Sequence, residues 1–136
     1  MAQASPRILS ISSDITVFDS RNRVLESAGF EVVPSFCGNG ALEKFTAEPL
    51  DAVVLGDSLS APLRLALFKN FRMLRPSVPI VVVYRIGEQT EDVLLADAAV
   101  ESLDGPERLI EVVSTVIHKV PQADKLGDLR RAQKAN

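Results

Sequence analysis

A single α/β domain, with a parallel sheet covered by helices on both faces, is what this sequence predicts. Three observations lead there. Short apolar runs rich in β-branched residues recur along the chain, amphipathic stretches separate them, and the two alternate strictly from Arg7 to Lys119. The 136 residues are 46% hydrophobic and 24% charged, the make-up of one compact domain with no room for a second. A chain of this length buries roughly two-thirds of its unfolded surface, so it is expected to fold without a metal or a disulfide.

The strands are expected at Ile8 to Ile11, Val32 to Phe36, Ala52 to Leu55 and Ile80 to Tyr84, each too short for a helix and bounded by turn residues. A fifth is expected at Ala99 to Leu103. Val17, Val24, Leu25 and Ala28 define the apolar face of a first helix, which Gly29 ends with φ > 0. A second runs from Gly40 to Thr46 and is closed by Pro49. The third runs from about Pro62 to Leu74, capped by Ser60, with Leu63, Leu67, Phe71 and Leu74 at helical spacing. Glu91 to Ala96 makes a fourth. Pro106 to Lys119 makes a fifth, opened by Gly105-Pro106-Glu107, with His118 and Lys119 suited to its last turn. Pro121 stops it, and the polar, Ala-rich segment from Gln122 to Asn136 is expected to be a frayed tail, so the domain is 1–120 and the tail 121–136.

Composition narrows the function. The net charge is -3 and the isoelectric point near 5.2, so no global basic field exists to hold nucleic acid. Lys125, Arg130, Arg131 and Lys134 are offset by Asp124 and Asp128. Met1 to Arg7 lacks the basic start and apolar core of a signal peptide, and no apolar run is long enough for a membrane span. A cytoplasmic protein whose partners are proteins, with no nucleic acid and no membrane, is the expectation. The solitary Cys37 has no CxxC partner and reads as packing. His118 has no nucleophile motif and no second histidine, and Gly38-Asn39-Gly40 lacks the spacing of a phosphate loop and reads as a turn. No enzyme activity is expected.

In doubly wound sheets the working site lies at the carboxyl ends of the strands, where the strand order reverses. Arg7-Ile8-Leu9-Ser10-Ile11-Ser12-Ser13-Asp14, then Ala28-Gly29-Phe30-Glu31-Val32, and finally Pro106-Glu107-Arg108-Leu109 resemble the receiver domain of bacterial two-component response regulators, over about residues 7–119. The resemblance implies a flavodoxin-like (βα)5 three-layer sandwich with sheet order 2-1-3-4-5, and a place in phosphorelay signalling.

The resemblance also implies which positions would carry phosphoryl chemistry. The acidic pair that holds Mg²⁺ falls on Ser12 and Ser13, neutral hydroxyls where a hard cation needs carboxylates. The phosphoacceptor position falls on Gly56, with Asp57 one residue late, which turns a side chain to the opposite face unless a bulge restores it. Ser58-Leu59-Ser60-Ala61-Pro62 replaces the family's shorter loop. The small hydroxyl residue after the fourth strand is matched by Tyr84, followed by Arg85, and the lysine after the fifth by Ser102, with Leu103 at the next proline. Losing acceptor, metal ligands, hydroxyl and lysine together removes nearly every contributor to phosphoryl transfer.

The chain is therefore read as a degenerate, stand-alone receiver, without cofactor, that works by protein binding. Its partner is a histidine kinase or an effector, or a second copy meeting it through the fourth-helix, fifth-strand and fifth-helix face at about Gln89 to Val120. Asp14 is read as the cap of the first helix, Asp57 as a turn residue and Arg85 as solvated. Two competing readings stay open: a true phosphoacceptor at Asp57, with Asp14 and Asp57 as reduced Mg²⁺ ligands, and a flavodoxin-like binder of a nucleotide or small anion, with Arg85 as an anion ligand.

Overall fold

The computed structural model describes residues 5–118. Five strands, β1 (Arg7–Ser12), β2 (Glu31–Phe36), β3 (Ala52–Leu55), β4 (Ile80–Tyr84) and β5 (Ala98–Glu101), alternate with five helices, α1 (Ile15–Ser27), α2 (Ala41–Ala47), α3 (Ala61–Leu74), α4 (Glu91–Leu95) and α5 (Pro106–His118). The strands pair in parallel in the order β2-β1-β3-β4-β5, the predicted flavodoxin-like α/β sandwich.

Alternation along the strands separates two apolar layers. Leu9, Ile11, Val53, Leu55, Ile80 and Val82 face one side and pack with Phe45 of α2 and Leu67, Phe68 and Phe71 of α3. Ile8, Val54, Val81, Val83 and Val100 face the other and pack with Leu25 of α1 and Leu109, Val112, Val113 and Val116 of α5. Both faces of the central strands are buried, which explains why they read as continuous apolar runs. Pro34 sits in edge strand β2, which pairs only with β1, so its missing N–H breaks no inner ladder. Gly29 ends α1 at φ +97°, and Phe30 N–H donates to Leu25 O at 3.1 Å across the turn. Ser60 caps α3, its hydroxyl accepting from Leu63 N–H. The C-terminal end of α2 is held from outside, Arg75 Nη1 donating to Phe45 O at 2.7 Å and Glu48 O at 2.9 Å.

Several boundaries and faces differ from expectation. The fifth strand ends at Glu101, and Ser102–Asp104 form a 3₁₀ turn that leaves Leu103 exposed. β5 is an edge with β4 alone to pair with, and Gly105 at φ +87° turns the chain into α5. In α1 the core contacts come from Phe18 and Leu25, whereas Val17 is exposed and Ala28 lies at the exposed helix end. In α3 Leu67, Phe68 and Phe71 are buried while Leu63 and Leu74 face outward, and the side chain between them, Arg64, is fully buried. Two one-residue shifts move α2 to Ala41–Ala47 and end α4 at Leu95. Lys119 and the tail, Gln122 to Asn136, lie outside the described residues. No helix among the described residues is long and apolar enough to cross a membrane.

Candidate functional site

The carboxyl ends of β1, β3 and β4 bring together Ser12, Ser13, Asp14, Gly56, Asp57, Ser58, Tyr84 and Arg85. Ser12 is the last residue of β1 and fully buried. Its hydroxyl lies 2.7 Å from Ser58 Oγ, which also accepts from Ser13 N–H at 2.8 Å and Asp14 N–H at 3.2 Å. Those two donors fill both acceptor sites of the Ser58 hydroxyl, so its proton goes to Ser12 Oγ. The Ser12 and Ser58 hydroxyls, with the Ser13 and Asp14 amides, form a neutral bridge between β1 and the loop after β3. Asp14 is committed elsewhere: its Oδ1 accepts from Thr16 N–H and Val17 N–H at 3.0 and 3.1 Å, capping α1.

Gly56 continues β3, its N–H donating to Ile11 O at 2.9 Å. A Cβ there would stand 2.8 Å from Arg21 Nη1 and 2.9 Å from Ile11 O. The guanidinium of Arg21, reaching over from α1, fills the space into which a side chain at position 56 would project. Asp57 turns over the strand ends with a side chain only 17% exposed, its Oδ1 3.3 Å from Arg21 Nη2 and its Oδ2 3.8 Å from Arg85 Nε. Asp57 lies in a turn as expected, and two cations converge on its carboxylate there. Arg85 itself is largely exposed, and its contact with Asp57 is long. Arg21 is the site residue that the sequence pattern hides. It lies between Val17 and Val24, at i+4 and i−3, so a cation interrupts the apolar stripe, and that interruption is the one pointer available beforehand.

Tyr84 ends β4 beside Glu101, and the pleat turns it away from the layer that holds Val83. Ser102 opens the 3₁₀ turn after β5. Cys37, half-buried at φ +59°, donates its N–H to Ser12 O at 2.7 Å, and Gly38-Asn39-Gly40 complete the turn there. His118 Nδ1 lies 2.6 Å from Ser114 O within α5. Among the described residues no three His, Cys, Asp or Glu side chains converge as metal ligands.

A second polar cluster joins α3 to α4. Arg64 and Asp92 are both fully buried, with Arg64 Nε 2.5 Å from Asp92 Oδ2. Arg64 Nη2 also reaches Glu88 Oε2 at 3.0 Å and Thr90 Oγ1 at 3.2 Å, while Glu88 Oε1 accepts from Arg85 N–H at 2.7 Å. Burial opposes the charge on Arg64, but Glu88 and Asp92 outweigh it and hold its pKa above the usual value. Burial likewise opposes the charge on Glu88, and the Arg64 guanidinium with the Arg85 N–H prevails, holding its carboxyl below the usual value.

No protein-family model matches the chain, and no curated protein matches it in sequence. Its fold is similar to a CheY-like response regulator receiver domain from Methanospirillum hungatei, with 23% identity over 85% of this chain and 95% of that one and a TM-score of 0.74. It is similar to the response regulator TrrA from Thermotoga maritima, solved with Mg²⁺ and BeF, with 20% identity over 82% and 98% of the two chains and a TM-score of 0.73. NtrX from Brucella abortus, solved with ATP, matches with 22% identity and a TM-score of 0.77 over 92% of this chain and 29% of that one.

Proposed function

We propose that this chain is a receiver-like module of two-component signalling that works in the cytoplasm by binding a protein partner, without phosphoryl transfer and without a cofactor. The observation that carries the proposal is the Arg21 guanidinium packed against Gly56, a cation at the position that the resemblance assigns to a receiver's acceptor carboxylate. A divalent cation needs anionic oxygens. The donors here are serine hydroxyls already engaged with one another, Asp14 serves as a cap, and Asp57 is neutralised by Arg21 and Arg85. These residues do not fit Mg²⁺, and the similarity to a receiver solved with it supports kinship of fold alone.

The partner surface is the face of α4, β5 and α5, with the turn between the last two. Leu94 and Leu95 of α4 and Leu103 after β5 expose 69%, 60% and 77% of their surface, apolar surface that a protein partner would cover. The partner is a histidine kinase, an effector or a second copy of this chain. Incubation with acetyl phosphate and Mg²⁺ is expected to add no phosphoryl mass, and an adduct abolished by Asp57→Ala would overturn the proposal. Light scattering on wild type and Leu94→Asp/Leu103→Asp, together with pull-downs from the native cell, tests the surface. A partner or dimer lost in the variant supports it, and contacts that survive the variant count against it.

A further inference from the structure

We propose that the cleft between α1 and α5 binds a small apolar monocarboxylate, whose carboxylate pairs with Arg21. The cleft encloses about 280 Å³, and Val17, Val24, Val83, Val100 and Leu109 supply its apolar lining. That volume is at the small end of ligand pockets, and a mainly apolar lining with a few polar groups at one place is how such pockets are built.

The polar group is Arg21, which also lines the cleft. Its side chain is only 11% exposed, and Nη1 is buried with no hydrogen-bond partner. Nη1 lies over Gly56. Leu55 pairs with Val82, so the next residue on β4, beside Gly56, is Val83 of the cleft floor. The Arg21 guanidinium thus stands at the inner end of the cleft, with its unpartnered Nη1 covered by Gly56. An unsatisfied buried donor costs about 1–3 kcal/mol, and more when charged, a penalty that an incoming carboxylate removes once the side chain turns Nη1 away from Gly56. Arg21 is also loosely held: its 3.3 Å contact with Asp57 is longer than ordinary charge-assisted bonds, and Asp57 has Arg85 as a second cation.

Charge restricts the ligand to one anionic group. Glu101 borders the cleft at the end of β5 and Asp57 stands beyond Arg21, so a second carboxylate or a phosphate would meet repulsion. The hydroxyl residues Ser20 and Ser102 at the border accept or donate to a carboxylate oxygen without adding charge. This site does not depend on whether the module signals without phosphorylation.

The test is an amide NMR titration of the intact chain with hexanoate, and with hexanol and hexylamine as controls. Hexanoate is expected to give saturable shifts at Val17, Val24, Val100 and Leu109, with hexanol and hexylamine weaker by about tenfold or more, the worth of one charge-assisted pair. Arg21→Met should abolish the preference for the acid. Should that variant fold poorly, Val17→Glu at the exposed rim should weaken hexanoate more than hexanol. Absence of saturable shifts at millimolar hexanoate would overturn the proposal. So would equal binding of acid and alcohol, or unchanged hexanoate affinity in folded Arg21→Met or Val17→Glu.

Discussion

Arg21 Nη1 lies 2.8 Å from the point where a Cβ on Gly56 would be, so the guanidinium of α1 and the bare backbone after β3 occupy one shared space. The absence of a side chain at position 56 is what admits the cation. Gly56→Ala is therefore expected to destabilise by about 1–3 kcal/mol, as overpacking does. In an Arg21→Ala background the penalty should shrink but persist, because Ile11 O stands 2.9 Å from the same point. A double-mutant cycle by urea unfolding measures the coupling.

Arg64 and Asp92 hold α3 to α4 through a pair that is fully withdrawn from water. Asp92→Ala removes the one fully buried partner and leaves Arg64 with Glu88 and Thr90, so it is expected to cost about 3 kcal/mol, the low end of what breaking a buried pair costs. Arg64→Met/Asp92→Leu should recover part of that loss, since the apolar pair needs no partner while the half-buried Glu88 keeps the Arg85 N–H and contact with water. Unfolding midpoints of the single and double variants decide it.

Glu88 links the same cluster to pH. Its folded pKa is depressed by Arg64 and the Arg85 N–H, so the unfolded chain binds the proton more readily. The stabilisation is present above the ordinary value of 4.5 and is lost as pH falls through the lower folded value. Glu88→Gln should flatten the acid limb of stability against pH while leaving the slope near neutrality unchanged, as followed by urea midpoints across the acid range.

Ser58 satisfies two backbone donors at the start of α1 as well as Ser12. Ser58→Ala leaves Ser13 N–H and Asp14 N–H without that acceptor, at an expected cost of about 1–3 kcal/mol. Hydrogen exchange should speed up at those two amides while those of β4 stay protected.

Much of this fold is legible in the sequence because the inner strands are buried on both faces and leave unbroken apolar runs, as at Ala52–Leu55 and Ile80–Tyr84. Gly29 and Ser60 are equally readable, since each performs a backbone task that few residues can. The end of β5 is not, because an edge strand with Val100 as its single buried residue imposes little pattern. Neutral Ser12 and Ser13 and the vacant position 56 are visible in the sequence. What fills that space is not, because Arg21 sits 35 residues before Gly56 on another element. Arg64 is hidden for the same reason, its Asp92 partner being 28 residues away.

The strand-end site is expected not to respond to a phosphoryl group. Amide NMR spectra with and without Mg²⁺ and beryllofluoride, a mimic of the phosphorylated state, test it most directly. Peaks at Ser12, Ser13, Asp57 and Tyr84 and across α4 and β5 are expected to stay unmoved. Saturable shifts at Asp57 that spread to α4 would contradict it and identify a working phosphorylation switch.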